Sequence, residues 1–111
     1  MSLLIKPQQI WVAQMPVDFR QSIDGLCQVI QTHFQSPPQD GLYVFYNKHK
    51  DRLKLLLWHY NGFMLIYKRL ESGRFPFRFS SEGKLSIEQK QLEGLLLGLD
   101  WQSLTEWESL N

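Results

Sequence analysis

Residues 52–70 read RLKLLLWHYNGFMLIYKRL, and the Asn61-Gly62 pair near the middle of this stretch decides the fold. Both residues tolerate positive φ, so a two-residue type I′ turn fits there and matches the natural twist of paired strands. The runs on either side, 52–60 and 63–70, are aliphatic and aromatic and predict a β-hairpin. In the second run Phe63, Leu65 and Tyr67 point one way, and Met64, Ile66 and Lys68 the other. Both faces are apolar for most of the strand, which predicts a sheet covered on two sides. A third run over 42–46 precedes them, joined by the polar loop Asn47-Lys48-His49-Lys50-Asp51. The centre of the chain is a meander.

Working outward, residues 1–7 form a loose lead-in, and 9–14 suit a short strand that Met15-Pro16 breaks. Asp18 with Gln21 three residues on has the spacing of a helix capping box. Phe19, Ile23, Leu26, Cys27, Ile30 and Phe34 then recur as one apolar helical face. Gly25 inside that face costs about 1 kcal/mol relative to alanine, a hint of close packing. The cluster 36–41 ends the helix. On the other side Ser72-Gly73 marks a turn, and 74–80 reads as an edge strand interrupted by Pro76. Ser86 with Gln89 predicts a second capped helix, whose stripe is Ile87, Leu92, Leu95, Leu96 and Leu99. Ser103 with Glu106 predicts a short third helix within 102–111, carrying Leu104, Trp107 and Leu110.

The order β-α-β-β-β-α-α predicts an α+β fold, an antiparallel meander of three to five strands packed by two or three helices. At 111 residues a single domain with one core is expected. Polar residues interrupt every apolar run well short of the roughly 18 needed to span a membrane. The opening residues lack the features of a secretory signal. Cys27 is the only cysteine, so no internal disulfide can form, and a reducing, cytoplasmic setting fits these features.

Charge is segregated along the chain. Lys48, Lys50, Arg52, Lys54, Lys68, Arg69, Arg74 and Arg78 lie between residues 41 and 79, opposed only by Asp51 and Glu71, a net +6. The last thirty residues hold Glu82, Glu88, Glu93, Asp100, Glu106 and Glu108 against Lys84 and Lys90, a net −4. A concentrated positive field with interleaved rings suits a polyanion partner. These eight cations are the candidate nucleic-acid contacts, lysine as a point charge and arginine as a bidentate fork. The same pattern also describes a solvated sheet face or a lysine-guarded edge. Most of the aromatics are better explained as core than as base-stacking platforms. Phe75, Phe77 and Phe79 alternate strictly and form a candidate apolar ridge for a partner. Trp101 and Trp107 are candidate interface anchors beside the acidic helix, which can face a basic partner or a second copy.

Catalytic chemistry finds little support. His33, His49, His59 and Cys27 have no metal-ligand spacing. Asp18, Asp24 and Asp51 could collect around Mg²⁺ only as a cluster in a cleft, and Asp18 is already explained as a cap and Asp24 by helix-surface solvation. Cys27 sits on the apolar stripe and reads as an inert core thiol. No Gly-rich phosphate loop or serine elbow is present. No cofactor or metal is expected.

Four blocks carry a family resemblance: Pro16-Val17-Asp18-Phe19-Arg20 with Ser22 and Asp24-Gly25-Leu26; Asp51-Arg52-Leu53-Lys54 with Trp58 and Gly62-Phe63; Tyr67-Lys68-Arg69-Leu70-Glu71 with Gly73-Arg74-Phe75; and Leu96 with Gly98-Leu99-Asp100-Trp101. Over roughly residues 8–101 the chain resembles the TnpB-type small accessory protein, the second open reading frame of bacterial insertion sequences of the insertion sequence 66 family. The resemblance implies a role in transposition, with the catalytic carboxylates on a separate large transposase. It supplies no active-site residues. The expectation is a non-enzymatic accessory protein of transposition and DNA recombination that contacts nucleic acid, chiefly DNA, through its basic hairpin region. Its other partners would be the element's transposition proteins, with no membrane. The alternative is an adaptor that binds the transposase without touching DNA.

Overall fold

The computed structural model describes residues 7, 9–78 and 83–104. Its strands are β1 (Ile10–Ala13), β2 (Leu42–Tyr46), β3 (Arg52–His59), β4 (Gly62–Arg69) and β5 (Lys84–Ile87). Helix α1 (Ile23–His33) joins β1 to β2, and helix α2 (Gln89–Leu96) follows β5. Single 3-10 turns occupy Pro38–Asp40 and Trp101–Ser103. The strands form one sheet in the order β4-β3-β2-β1-β5, and the fold is α+β as expected.

One pairing departs from the expected antiparallel meander. β1 runs parallel to β2, with Ile10 opposite Leu42, while the other three pairings are antiparallel. Parallel neighbours require a long crossover, and α1 provides it. Gly41 allows the close approach at this junction. A Cβ there would lie 2.5 Å from the Gln9 carbonyl oxygen, which accepts the Leu42 N–H.

Alternation along the strands sorts side chains onto two covered faces. Val12, Val44, Leu53, Leu55 and Ile66 point toward α2, where Leu92, Leu95 and Trp101 close the core. Tyr43, Phe45, Leu56 and Leu65 point toward α1 and pack under Leu26, Ile30 and Phe34. The two-sided apolar pattern of residues 63–66 therefore has its predicted cause. Gly94 lets the 3-10 turn sit on α2, since a Cβ there would come within 2.5 Å of Leu104 Cδ1.

Several local expectations are corrected. Helix α1 starts after Ser22, and Asp18 does not cap it; the Asp18 carboxylate instead accepts the Arg20 N–H at 2.9 Å and closes a preceding turn. The close neighbour of Gly25 is Gln21, one turn earlier. Ser86 lies in β5, where four residues found room to pair with β1; α2 is capped two residues later by a box of Glu88 and Gln91. Residues 74–78 form no strand. Phe75 and Phe77 are buried in the core rather than offered as a ridge, because Phe77 stacks on Tyr46 at 4.1 Å. Trp101 is likewise fully buried, not an exposed anchor. Phe79, Trp107, Leu110 and the predicted third helix beyond Leu104 lie outside the described residues.

The hairpin turn is shifted by one residue. His59 pairs with Gly62, so Tyr60 and Asn61 form the loop. Tyr60 takes φ +54, a left-handed conformation that costs a bulky residue roughly 1–2 kcal/mol, and the Asn61 N–H donates to the His59 carbonyl across it. This register sets Trp58 edge-on against Phe63 at 5.0 Å, an aromatic pair that offsets part of the strain. Tyr60 is 82% exposed and little packing depends on it. Tyr60→Gly is therefore expected to raise unfolding free energy by about 0.5–1 kcal/mol, after the entropy glycine adds to the unfolded chain. Urea denaturation measures it.

Candidate nucleic-acid interface

The β2–β3 loop and the end of β4 meet at one end of the sheet, and Asn47 organises the loop. Its Oδ1 accepts the Asp51 and Arg52 N–H groups, both at 3.0 Å, and its Nδ2 donates to Asp51 Oδ1 at 2.6 Å. That last bond holds the Asp51 carboxyl below its ordinary pKa. Lys50 turns the chain at φ +59, which leaves Lys48 exposed at the tip. Two backbone bonds tie the following segment to this loop: the Leu70 N–H donates to the Asp51 carbonyl at 2.8 Å, and the Phe75 N–H to the Lys50 carbonyl at 2.7 Å. Lys48, Lys50, Arg52, Arg69 and Arg74 consequently share one end of the molecule, with Asp51 and Glu71 as the local acids.

Arg52 and Arg69 are direct cross-strand partners on the α1 face. Because Asp51 and Leu70 form a hydrogen-bonded pair, the next pair is of the non-hydrogen-bonded kind, about 4.5 Å between Cα atoms. Like charges placed opposite each other there destabilise the sheet unless an anion lies between or beside them. Arg69 has Glu71 at 3.1 Å, an exposed pair of little energetic weight. Arg52 has no such partner: its Nε is enclosed and finds no hydrogen-bond acceptor among the described residues.

The other three candidate cations go elsewhere. Lys54 is only 7% exposed, and its ammonium donates to the backbone carbonyls of Phe19 at 2.9 Å and Gln21 at 2.6 Å. Burial pushes its pKa down. Lys68 points to the opposite face and donates to the Leu96 carbonyl at 2.5 Å, a cation at the C-terminal end of α2 where the helix dipole favours it. Arg78 pairs with Asp100 at 2.9 Å. Five of the eight are brought together and three are not.

Two residues outside the predicted set lie near Lys54. The carbonyls that hold Lys54 place Arg20 beside it, with the Arg20 side chain 91% exposed and bound to Asp18 at 2.6 Å. Tyr67, opposite Lys54 and two residues from Arg69 on the same face, is 48% exposed. Arg20 precedes the basic run, so charge counting along the chain passes over it. Periodicity assigned Tyr67 to the core.

The Arg20 guanidinium holds the Asp18 carboxyl down at about 2, from an ordinary 3.8. The unfolded chain thus binds a proton at Asp18 before the folded one does, and this contribution to stability is present above pH 3.8 and lost as pH falls toward 2. Asp18→Asn is expected to make stability fall less steeply across that window, as urea midpoints at successive pH values would record.

Among the described residues, no three His, Cys, Asp or Glu side chains gather as metal ligands would. No helix there is long and apolar enough to cross a membrane. A family model described as IS66 Orf2 like protein matches residues 8–106. A relative named uncharacterized protein y4jC, from Sinorhizobium fredii (strain NBRC 101917 / NGR234), is 37% identical over 94 residues, covering 84% of this chain and 80% of its own length. A second from the same organism, uncharacterized protein y4hO, is 33% identical over 95 residues, covering 85% and 83%. No solved structure matches the chain significantly.

Proposed function

The chain belongs to the family of IS66 Orf2 like proteins, accessory proteins of insertion-sequence transposition, and on that premise we propose that it assists transposition by holding nucleic acid against the basic end of its sheet. The role is non-catalytic and cytoplasmic: the protein positions the element's DNA for the transposase. The observation that carries this reading is the Arg52–Arg69 cross-strand pair, two arginines at directly opposed positions, with Arg52 in no ion pair among the described residues. A phosphate supplies the missing negative charge, and the outer edge of a planar guanidinium suits it in bidentate geometry. Lys48, Lys50 and Arg74 extend the positive field around that pair and steer the approach of a polyanion.

Charge reversal tests it. Arg52→Glu with Arg69→Glu is expected to weaken binding of an end-derived oligonucleotide more than 100-fold in a gel-shift titration at low salt. Lys90→Glu on the exposed side of α2 serves as control and should leave binding nearly unchanged. Equal binding by the double variant and the unaltered chain would remove the proposal. Failure of the unaltered chain to bind would favour the adaptor role, measured by capture of the purified transposase.

A further inference from the structure

Resting on that reading, we propose that the site takes single-stranded nucleic acid, with a base stacked on Tyr67 and its flanking phosphates on Arg52 and Arg69. Tyr67 and Arg69 are two residues apart on one strand face, about 7 Å along the strand. Arg52 stands directly across from Arg69, and Lys54 across from Tyr67. A half-exposed ring therefore lies one side-chain step from the opposed arginine pair.

The ring is held for this use. Phe19 meets it edge-on at 6.1 Å between centroids. The Lys54 ammonium, fixed by two carbonyls, lies 5.8 Å from the Tyr67 centroid and 5.0 Å from that of Phe19. These contacts fix the orientation of Tyr67 on its protein side and leave the rest of the ring in water. Arg20, next to Phe19, is exposed but bound to Asp18 and adds no free charge to the site.

Duplex DNA hides its base faces within the stack and offers this ring base edges, sugar and phosphate but no face to stack on. An unpaired strand offers a π-face with every base, and ring stacking is tolerant of sequence because all four have one. Cations alone would suit either form. Cations arranged around an oriented, accessible ring favour the unpaired one.

The experiment is fluorescence anisotropy with three labelled probes: a 15-nucleotide oligo-dT, the matching oligo-U, and a 15-base-pair duplex. Both single strands are expected to bind at least tenfold more tightly than the duplex. A preference between them would identify a deoxyribose or ribose backbone at the site. Tyr67→Ala should weaken single-strand binding roughly 5- to 150-fold. Tyr67→Phe should keep it, and Tyr67→Leu, apolar but without a ring, should not; circular dichroism confirms that each variant is folded. Equal affinity for duplex and single strand, with Tyr67→Ala silent and Arg52→Glu/Arg69→Glu still disruptive, would overturn the single-strand assignment and spare the proposed function. Absence of binding to all three probes would end both.

Discussion

Trp101→Ala is expected to lower unfolding free energy by about 3–5 kcal/mol, the range for removing a large buried aromatic. Its side chain is fully buried between α2 and the segment 74–78. It meets Phe77 edge-on at 5.9 Å and donates its indole N–H to the Pro76 carbonyl at 2.5 Å. Alanine would leave a cavity against Gly94 and strip that carbonyl of its donor. For a domain whose whole stability is typically 5–15 kcal/mol, the loss is a large share. Trp101→Phe separates the two terms, since it keeps most of the volume and loses only the hydrogen bond, at about 1–2 kcal/mol. Urea denaturation gives both values. The same ring holds the segment that carries Arg74, so hydrogen exchange at the Phe75 amide should accelerate in the alanine variant. A loss below about 1 kcal/mol would mean that Trp101 does not anchor this segment.

Lys54→Met has the second large effect, on stability and not on binding. An exposed lysine is usually replaced within about 0.5 kcal/mol. Here methionine approximates the side chain's length and leaves the Phe19 and Gln21 carbonyls without their shared donor. Hydrogen bonds to a charged donor contribute about 1.5–3 kcal/mol each, and buried acceptors left unpaired cost 1–3 kcal/mol. About 3 kcal/mol is expected in total, read from the urea midpoint. Nucleic-acid affinity per folded molecule should fall by less than in Tyr67→Ala, as anisotropy would show, because the ammonium is turned into the fold and only orients the ring. A stable variant with abolished binding would show the reverse, that Lys54 is a phosphate contact.

Lys54 also shows how far a charge pattern can be read. Its place in the basic run, two residues after Arg52, was legible, and alternation correctly set both on one face. What decides their different roles is tertiary: the Phe19 and Gln21 carbonyls capture the Lys54 ammonium, and no such bond is made by the Arg52 guanidinium among the described residues. Lys68 was legible as a cation at the end of β4, but its helix partner approaches from a distant part of the chain. The fold was read best where periodicity is strong, as in β2 to β4, α1 and the Leu92, Leu95 and Leu96 part of the α2 stripe; Ile87 lies in β5, and Leu99 lies beyond the helix and is half-exposed. It failed at β5, where Ser86 and Gln89 imitate a helix cap and four residues are too few for alternation to show. It failed again at Tyr60, where the usual preference of Asn-Gly for the loop lost to the pairing of Trp58 with Phe63. The cation pair at Arg52 and Arg69 depends on register, which a one-dimensional pattern does not specify.

The most direct measurement is the salt dependence of binding for the unaltered chain and for Arg52→Ala/Arg69→Ala. If the five gathered cations each neutralise a phosphate, log K should fall against log[salt] with a slope of roughly −3.5 on single strands or −4.5 on duplex. Removing the two arginines should flatten that slope by about 1.4 or 1.8 respectively. A slope near zero, or one that the double variant leaves unchanged, would contradict the assignment of this end of the sheet to nucleic acid.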